Sequence, residues 1–231
     1  MEEALEMLFD ECCTEIENFY ENHPELKLGW RFIYGPKRTL ENSNGFILFG
    51  LNPGGKFFSK EHSSEKGNAY LIEDWQSNLQ KQIKEFFEIF CKRKKLNQKF
   101  FLNNTLTSNF IFFRSPDFDS LPHKEDCVNF SRTLWQKIFK LHMPRVILCI
   151  GNGKLSAYSF VKQLFECEAS ILNETKRLLY NTFYVKSFNV NKCGIEVVVV
   201  GLPHLSRCHF INNPKLKNQF EEIMKLLTQK Y

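Results

Sequence analysis

With 231 residues, 43% of them hydrophobic and 15% aromatic, the chain can bury a full core, which excludes a disordered polypeptide. Phe is unusually common at 24 residues while Gly and Pro are sparse and no internal repeat occurs, so packed helices and sheet are expected rather than linkers or repeat arrays. The net charge of +5 and a pI near 8.7 allow an anionic partner without requiring one.

Leu5, Leu8, Cys12, Ile16 and Phe19 recur at helical spacing and predict an amphipathic helix ended near His23-Pro24. The connection to residue 45 reads as irregular. Phe46-Ile47-Leu48-Phe49 is a continuous apolar run between turn formers, the pattern of a strand buried on both faces, and it feeds the loop Gly50-Leu51-Asn52-Pro53-Gly54-Gly55. A long helical pattern over 73–93 carries Trp75, Leu79, Ile83, Phe86, Phe87 and Phe90 on one face. It closes on Lys92-Arg93-Lys94-Lys95, where positive charge suits a helix C-terminus, so this cluster reads as a solvated helix end rather than a DNA stripe.

Residues 109–113 are expected to be extended up to Arg114-Ser115-Pro116, and 127–142 helical. Val146-Ile147-Leu148-Cys149-Ile150 reads as a second buried strand that turns at Gly151-Asn152-Gly153 into a helix through Phe165. Strands over 182–188 and 195–200 follow, with Pro214 opening a C-terminal helix. Alternating strands and helices imply a mostly parallel sheet covered on both faces. Gly153-Lys154 resembles the tail of a phosphate loop, but Leu148 and Leu155 stand where a Walker loop needs Gly and Ser or Thr. Ser156 stands where a dinucleotide fingerprint needs its third Gly, so a tight strand-to-helix turn is expected.

The eight cysteines, at 12, 13, 91, 127, 149, 167, 193 and 208, lack paired metal-site spacing and read as reduced core residues. The start Met-Glu-Glu has no signal-peptide form and no apolar stretch is long enough to span a bilayer. A cytoplasmic or nuclear protein without a membrane partner is expected.

In an open α/β sheet, ligands bind beyond the carboxyl ends of the strands. Two segments at such ends, Gly50-Leu51-Asn52-Pro53-Gly54 and Pro203-His204-Leu205-Ser206-Arg207, resemble the first and last motifs of the uracil-DNA glycosylase superfamily. Thr107-Ser108-Asn109-Phe110 through Arg114-Ser115-Pro116 resembles its base-reading strand, so the resemblance spans about residues 45 to 230 in family order. The Asn in the first motif is similar to the mismatch-specific (thymine-DNA glycosylase-like) and single-strand-selective branches. The best-known uracil branch has Asp there and a Tyr where this chain has Gly54, and that Tyr walls off the pyrimidine C5 edge. The resemblance therefore implies a wider pocket. Phe113 stands where the iron-sulfur branches have Cys, so no cluster or other cofactor is implied. The last motif departs from the family's His-Pro-Ser form. Either Ser206 takes the Ser position and Arg207 leads the DNA wedge, or Leu205-Ser206-Arg207 is itself the wedge on a shortened loop.

Cutting an N-glycosidic bond leaves positive charge on the sugar and negative charge on the base, which calls for a donor at base O2 and a positioned water at C1′. His204 fits the first task and Asn52 the second, although an amide is no general base. Asn109 offers an amide that matches a uracil-type ring in one orientation and cytosine in the other. Phe57, Phe58 and Tyr70 offer an aromatic face for a flipped ring. Lys56 is a minor option for a Schiff base, which the water-using chemistry of the family does not require. His204, Cys208 and His209 match no standard zinc spacing, and no metal is expected.

The expectation is thus a three-layer α/β/α domain over 45–231 around a four-stranded, mainly parallel sheet, with a helical extension over 1–44 packed on the core. It is expected to act as a monomeric, monofunctional DNA glycosylase on a flipped uracil, mismatched thymine or 5-modified pyrimidine. The alternatives are a catalytically silent binder of modified or damaged DNA and an N-glycosidase of free nucleosides or nucleotides.

Overall fold

The runs at Phe46 and Val146 are apolar throughout because both faces of the strands they form are covered. The computed structural model describes residues 2–41, 44–75, 77–166, 171–180, 182–192, 194–211 and 213–231. Its helices are α1 (Glu2–Glu21), α2 (Ala69–Ile72), α3 (Asn78–Lys94), α4 (Gln98–Asn103), α5 (Lys124–Leu141), α6 (Ala157–Glu166) and α7 (Lys217–Lys230). Its strands are β1 (Gly29–Arg31), β2 (Phe46–Gly50), β3 (Ser59–Glu61), β4 (Leu106–Asn109), β5 (Val146–Ile150), β6 (Ile171–Tyr180), β7 (Phe183–Lys192) and β8 (Ile195–Leu202).

The main sheet runs β4-β2-β5-β8-β7-β6. Its first four strands are parallel, while β7 and β6 add as antiparallel neighbours. Successive side chains alternate between two cores, as the pleat dictates. Ile47, Phe49, Ile147, Cys149, Val197 and Val199 face α1, α5 and α6, around Trp135. Phe46, Leu48, Leu148, Val198 and Val200 face α3, α4 and α7, around Phe86, Phe87 and Phe90. The result is a three-layer α/β/α arrangement. No helix among the described residues is long and apolar enough to cross a membrane.

The expected four-stranded sheet is corrected to six strands plus a two-stranded parallel sheet of β1 and β3. The sequence hid β6 because Glu174 to Leu178 are all exposed on an edge strand, leaving no buried run to betray it. The small sheet was hidden by its three-residue strands, one of them Ser59-Lys60-Glu61. The extended segment expected at 109–113 also moves: the ladder covers Leu106–Asn109, whereas Phe110 to Phe113 are buried without joining it. The helix expected over 73–93 begins at Asn78, where the Ser77 hydroxyl caps it.

The first forty residues share the core. Leu5, Leu8, Cys12 and Ile16 of α1 pack into the same cluster as Phe112 and Trp135. Trp30 and Ile33 bridge to Phe113 and Ser108. Cys12, Cys13, Cys91, Cys127, Cys149 and Cys208 are buried free thiols. Cys167 and Cys193 lie outside the described residues.

The two strands of the small sheet meet at Gly29, whose φ is +82° and whose added Cβ would stand 2.1 Å from the Ser59 carbonyl oxygen. Gly29→Ala is expected to cost at least about 2 kcal/mol of unfolding free energy, from left-handed strain plus overpacking. Gly54→Ala, with open space around it, should stay within about 0.5 kcal/mol. Urea denaturation of the two variants checks the contrast.

Candidate active site

Because β4, β2, β5 and β8 are parallel, their carboxyl ends share one edge. Gly50 pairs with Asn109, Cys149 with both Phe49 and Gly201, and Ile150 with Leu202. The structure therefore brings Asn109, the last residue of β4, and the loops carrying Asn52, Asn152 and His204 to that edge. Asn52 and Asn109 follow neighbouring strands. His204 follows the second strand beyond β2, a backbone separation of roughly 10 Å at two interstrand spacings.

Asn52 has a fixed orientation. Its Nδ2 donates to Ser115 Oγ at 2.8 Å and to the Pro53 carbonyl at 3.3 Å. The Ser115 hydroxyl donates to the Asp117 carbonyl at 2.6 Å, so its oxygen is left to accept from Asn52. Asn52 Oδ1 is the atom left for a ligand or a water. Ser115 N–H also donates to Pro53 O at 3.1 Å, tying the loop after β2 to that after β4. The role of Ser115 was not anticipated, although Arg114-Ser115-Pro116 marked the place.

Asn109 is buried, and its Nδ2 donates to the Tyr34 hydroxyl at 2.7 Å. A Cβ on Gly50 would stand 2.1 Å from Asn109 Oδ1, so only glycine there leaves room for this amide. A phenol both donates and accepts, which leaves both amide orientations compatible with Tyr34. Tyr34 itself was missed; it is buried, which raises its pKa, and it lies in the connection read as irregular. Its ring stacks on Tyr70 at 5.9 Å, and the Arg31 guanidinium sits 4.1 Å from its centroid.

His204 is exposed, and partial desolvation by the surrounding protein, followed by the charge of Arg207, lowers its pKa from the usual 6.5. Its Nδ1 accepts from the Ser206 hydroxyl at 2.7 Å and from the Ser206 backbone N–H at 3.3 Å. A backbone N–H can only donate, so Nδ1 is the acceptor and the neutral ring carries its proton on Nε2. His204 is thereby a neutral hydrogen-bond donor.

The other expected residues divide. Gly54 is exposed with nothing within 4 Å of a Cβ position, and its carbonyl accepts from Arg114 Nη1 at 2.7 Å. Phe57 and Phe58 are exposed, whereas Tyr70 is buried against Tyr34 and Trp75 and presents no free face. Ser206 and Arg207 are exposed, but Leu205 is only 1% exposed and packs into the core. Its carbonyl accepts from Gln82 Nε2 of α3, which also meets His209 Nδ1 at 2.9 Å. The buried Leu205 side chain is not presented at the surface, as a wedge formed by Leu205-Ser206-Arg207 would need. Gln82 was not anticipated, being with Gln80 one of two polar residues buried on a mostly apolar helix face.

Burial pushes the Cys208 thiol up to about 11, which makes it inert beside His204. Among the described residues no three His, Cys, Asp or Glu side chains are grouped to hold a metal ion. Gly151, with φ +109°, makes the tight turn after β5, and Asn152 Nδ2 donates to the Gly201 carbonyl at 2.9 Å. A hollow of about 30 Å³ between β6, β7 and α7, lined by Leu179, Val185 and Ile223, lies at the far side of the sheet and is too small for a base. No protein-family model matches the chain, and no curated protein matches it either.

The fixed tautomer makes His204 a measurable reporter. By NMR its imidazole should titrate below pH 6.5, and Arg207→Ala should raise that value without restoring it fully, because desolvation is the larger cause. A titration at or above 6.5 in the unsubstituted protein would contradict the geometry.

Proposed function

We propose that the chain is a monofunctional DNA glycosylase acting on a pyrimidine flipped out of DNA. The observation that carries this reading is the neutral His204, with its Nε2–H free to donate, on the same sheet edge as an Asn52 amide whose Oδ1 is free to hold water. A base and its sugar can span the gap between the loops after β2 and β8. The resemblance of the Asn52, Asn109 and His204 segments to the uracil-DNA glycosylase superfamily points the same way.

The chemistry follows from these groups. As the N-glycosidic bond stretches, the electron pair moves to the base, and a donor at O2 is strengthened by the charge that develops there. The gain from one well-placed donor reaches about 3 kcal/mol where bound DNA excludes water from it. Asn52 Oδ1 accepts a hydrogen bond from the water and aims its oxygen at C1′, but an amide cannot take the proton. The bond must therefore be largely broken before water attacks, and a slow enzyme is expected. Asn109 contributes the base-reading amide, and Gly54 leaves space for a substituent at C5. Ser206 and Arg207 supply contacts to phosphate.

A second reading, a catalytically silent binder of modified DNA, is favoured by one observation, the amide of Asn52 where a carboxylate would be a stronger base. Oligonucleotides bearing uracil, thymine opposite guanine or 5-modified cytosine separate the two readings: an enzyme leaves an abasic site and a binder a stable complex.

His204→Ala and Asn52→Ala are each expected to slow base release by roughly a hundredfold or more under single-turnover conditions, with DNA affinity and folding largely retained. Full activity in both folded variants would remove the mechanism. Arg207→Ala should weaken DNA binding irrespective of sequence and flatten the dependence of log affinity on log salt by about one unit. An unchanged slope in a salt titration would take Arg207 out of the interface.

A further inference from the structure

The loop after β2 is tied at both ends and bare at its tip. At its root, Arg114 donates to the Gly54 carbonyl and Ser115 to that of Pro53, while Arg114 is held by Glu61 at 3.1 Å. At its far end the chain enters β3, which pairs with β1. Between these anchors Phe57 and Phe58 stand 86% and 62% exposed. Two phenylalanines held in water by an anchored turn lose the gain of burial, and among the described residues neither ring stacks on another aromatic side chain.

Other exposed groups belong to loops that leave the same sheet edge. β5 is the immediate neighbour of β2, and the loop after it presents Lys154 and Leu155, the latter 56% exposed. Lys56 precedes Phe57, and Arg207 follows His204 on the same sheet edge. Among the described residues none of these three exposed cations makes a salt bridge. Exposed rings alternating with unpaired positive charges, beside a candidate base-reading amide, match a surface that stacks on bases while tracking phosphates. Leu205, the apolar residue of the family-like wedge segment, is meanwhile withdrawn into the core.

We propose that Phe57 and Phe58 are the apolar wedge of this protein. They stack on the bases that flank the flipped nucleotide, with Lys56, Lys154 and Arg207 holding the backbone. The assignment rests on the glycosylase reading of the same edge and places the wedge on the first loop instead of the last. The partner is DNA that presents base faces, either as an unpaired strand or as a locally opened duplex.

The test uses the full chain with a fluorescent single-stranded oligonucleotide and with the same sequence as a duplex carrying one mismatched uracil. Phe57→Ala with Phe58→Ala should weaken binding about tenfold to a hundredfold. The salt slope should stay unchanged because no charge is lost, whereas Lys56→Ala should lower it by about one. Loss on the single strand alone assigns the unpaired strand as the source of the base faces. Loss on both substrates assigns the opened duplex as well. Phe57→Trp keeps a stacking ring, so it should retain affinity and show indole quenching on binding. Both rings are exposed, so the alanine variant should match the parent in denaturant midpoint.

Unchanged DNA affinity in that folded variant overturns the wedge. So does a loss confined to anionic phospholipid vesicles, which would make the rings a membrane contact. If the unsubstituted protein binds neither oligonucleotide at low salt, the glycosylase reading fails first. If it releases base while the phenylalanine variants bind normally, only the wedge assignment falls.

Discussion

Arg31 carries a guanidinium almost wholly removed from water, and a charge in that position has to be matched. Glu73, just past α2, takes it with two parallel bonds of 3.1 and 2.6 Å, and Glu61 at the end of β3 adds a contact at 2.9 Å. Burial alone would raise the Glu73 pKa, but the Arg31 bonds more than offset this and hold it below the usual carboxylate value. Glu61 also holds Arg114, which in turn holds Gly54. One buried charge thus fixes the N-terminal segment, the loop after β2, α2 and the segment after β4 at one corner of the sheet. A buried ion pair is weak evidence for stability, since a packed apolar substitute often serves as well. Its consequence here is positional. The guanidinium lies on Tyr34, and Tyr34 holds the Asn109 amide.

The parallel core could be read from the chain because its strands are buried on both faces, and such strands appear as unbroken apolar runs. Phe46 to Phe49 and Val146 to Ile150 needed no context to be recognised, and the four parallel strand ends followed from the alternation of strands with helices. The antiparallel addition could not be read this way. β6 sets Glu174, Thr175, Lys176 and Arg177 exposed at the sheet edge, where α6 and α7 meet them through polar side chains such as Lys162 on Glu174 and Glu222 on Arg177, and its partner register is interrupted between Leu172 and Thr175. Its pairing depends on β7 rather than on any pattern of its own.

The candidate site divides along the same line. Asn52, Asn109 and His204 follow buried strands directly, so topology alone carries them to one edge. What orients them comes from residues with no local signal. Ser115 acts through a hydroxyl already committed to Asp117, Tyr34 comes from the segment preceding β2, and Gln82 reaches over from α3. Leu205 shows the opposite failure. Its place beside His204 suggested a solvent-facing wedge, but an apolar side chain at a strand end is as easily drawn into the core, and here α3 and α7 provide that core. Tyr70 was misread in the same way: an aromatic near the first motif in sequence is spent on packing against Tyr34.

These positions bear on which bases the proposed reaction favours. Asn52 has no carboxylate to draw a proton from water, and His204 is held in the form that donates a hydrogen bond without being an imidazolium. Neither group can force a poor leaving group out. The barrier then depends on how well the departing ring carries negative charge by itself, with His204 adding its share at one oxygen. Rings whose N1 anion is stabilised by carbonyls or by an electron-withdrawing group at C5 leave most readily. In the proposed reaction the open space at Gly54 would admit such a group, and the Tyr34-bound amide of Asn109 would match a uracil-like or a cytosine-like edge. Under the proposed reaction an open site need not mean indiscriminate cutting, because the chemistry of the leaving base selects among the rings that fit.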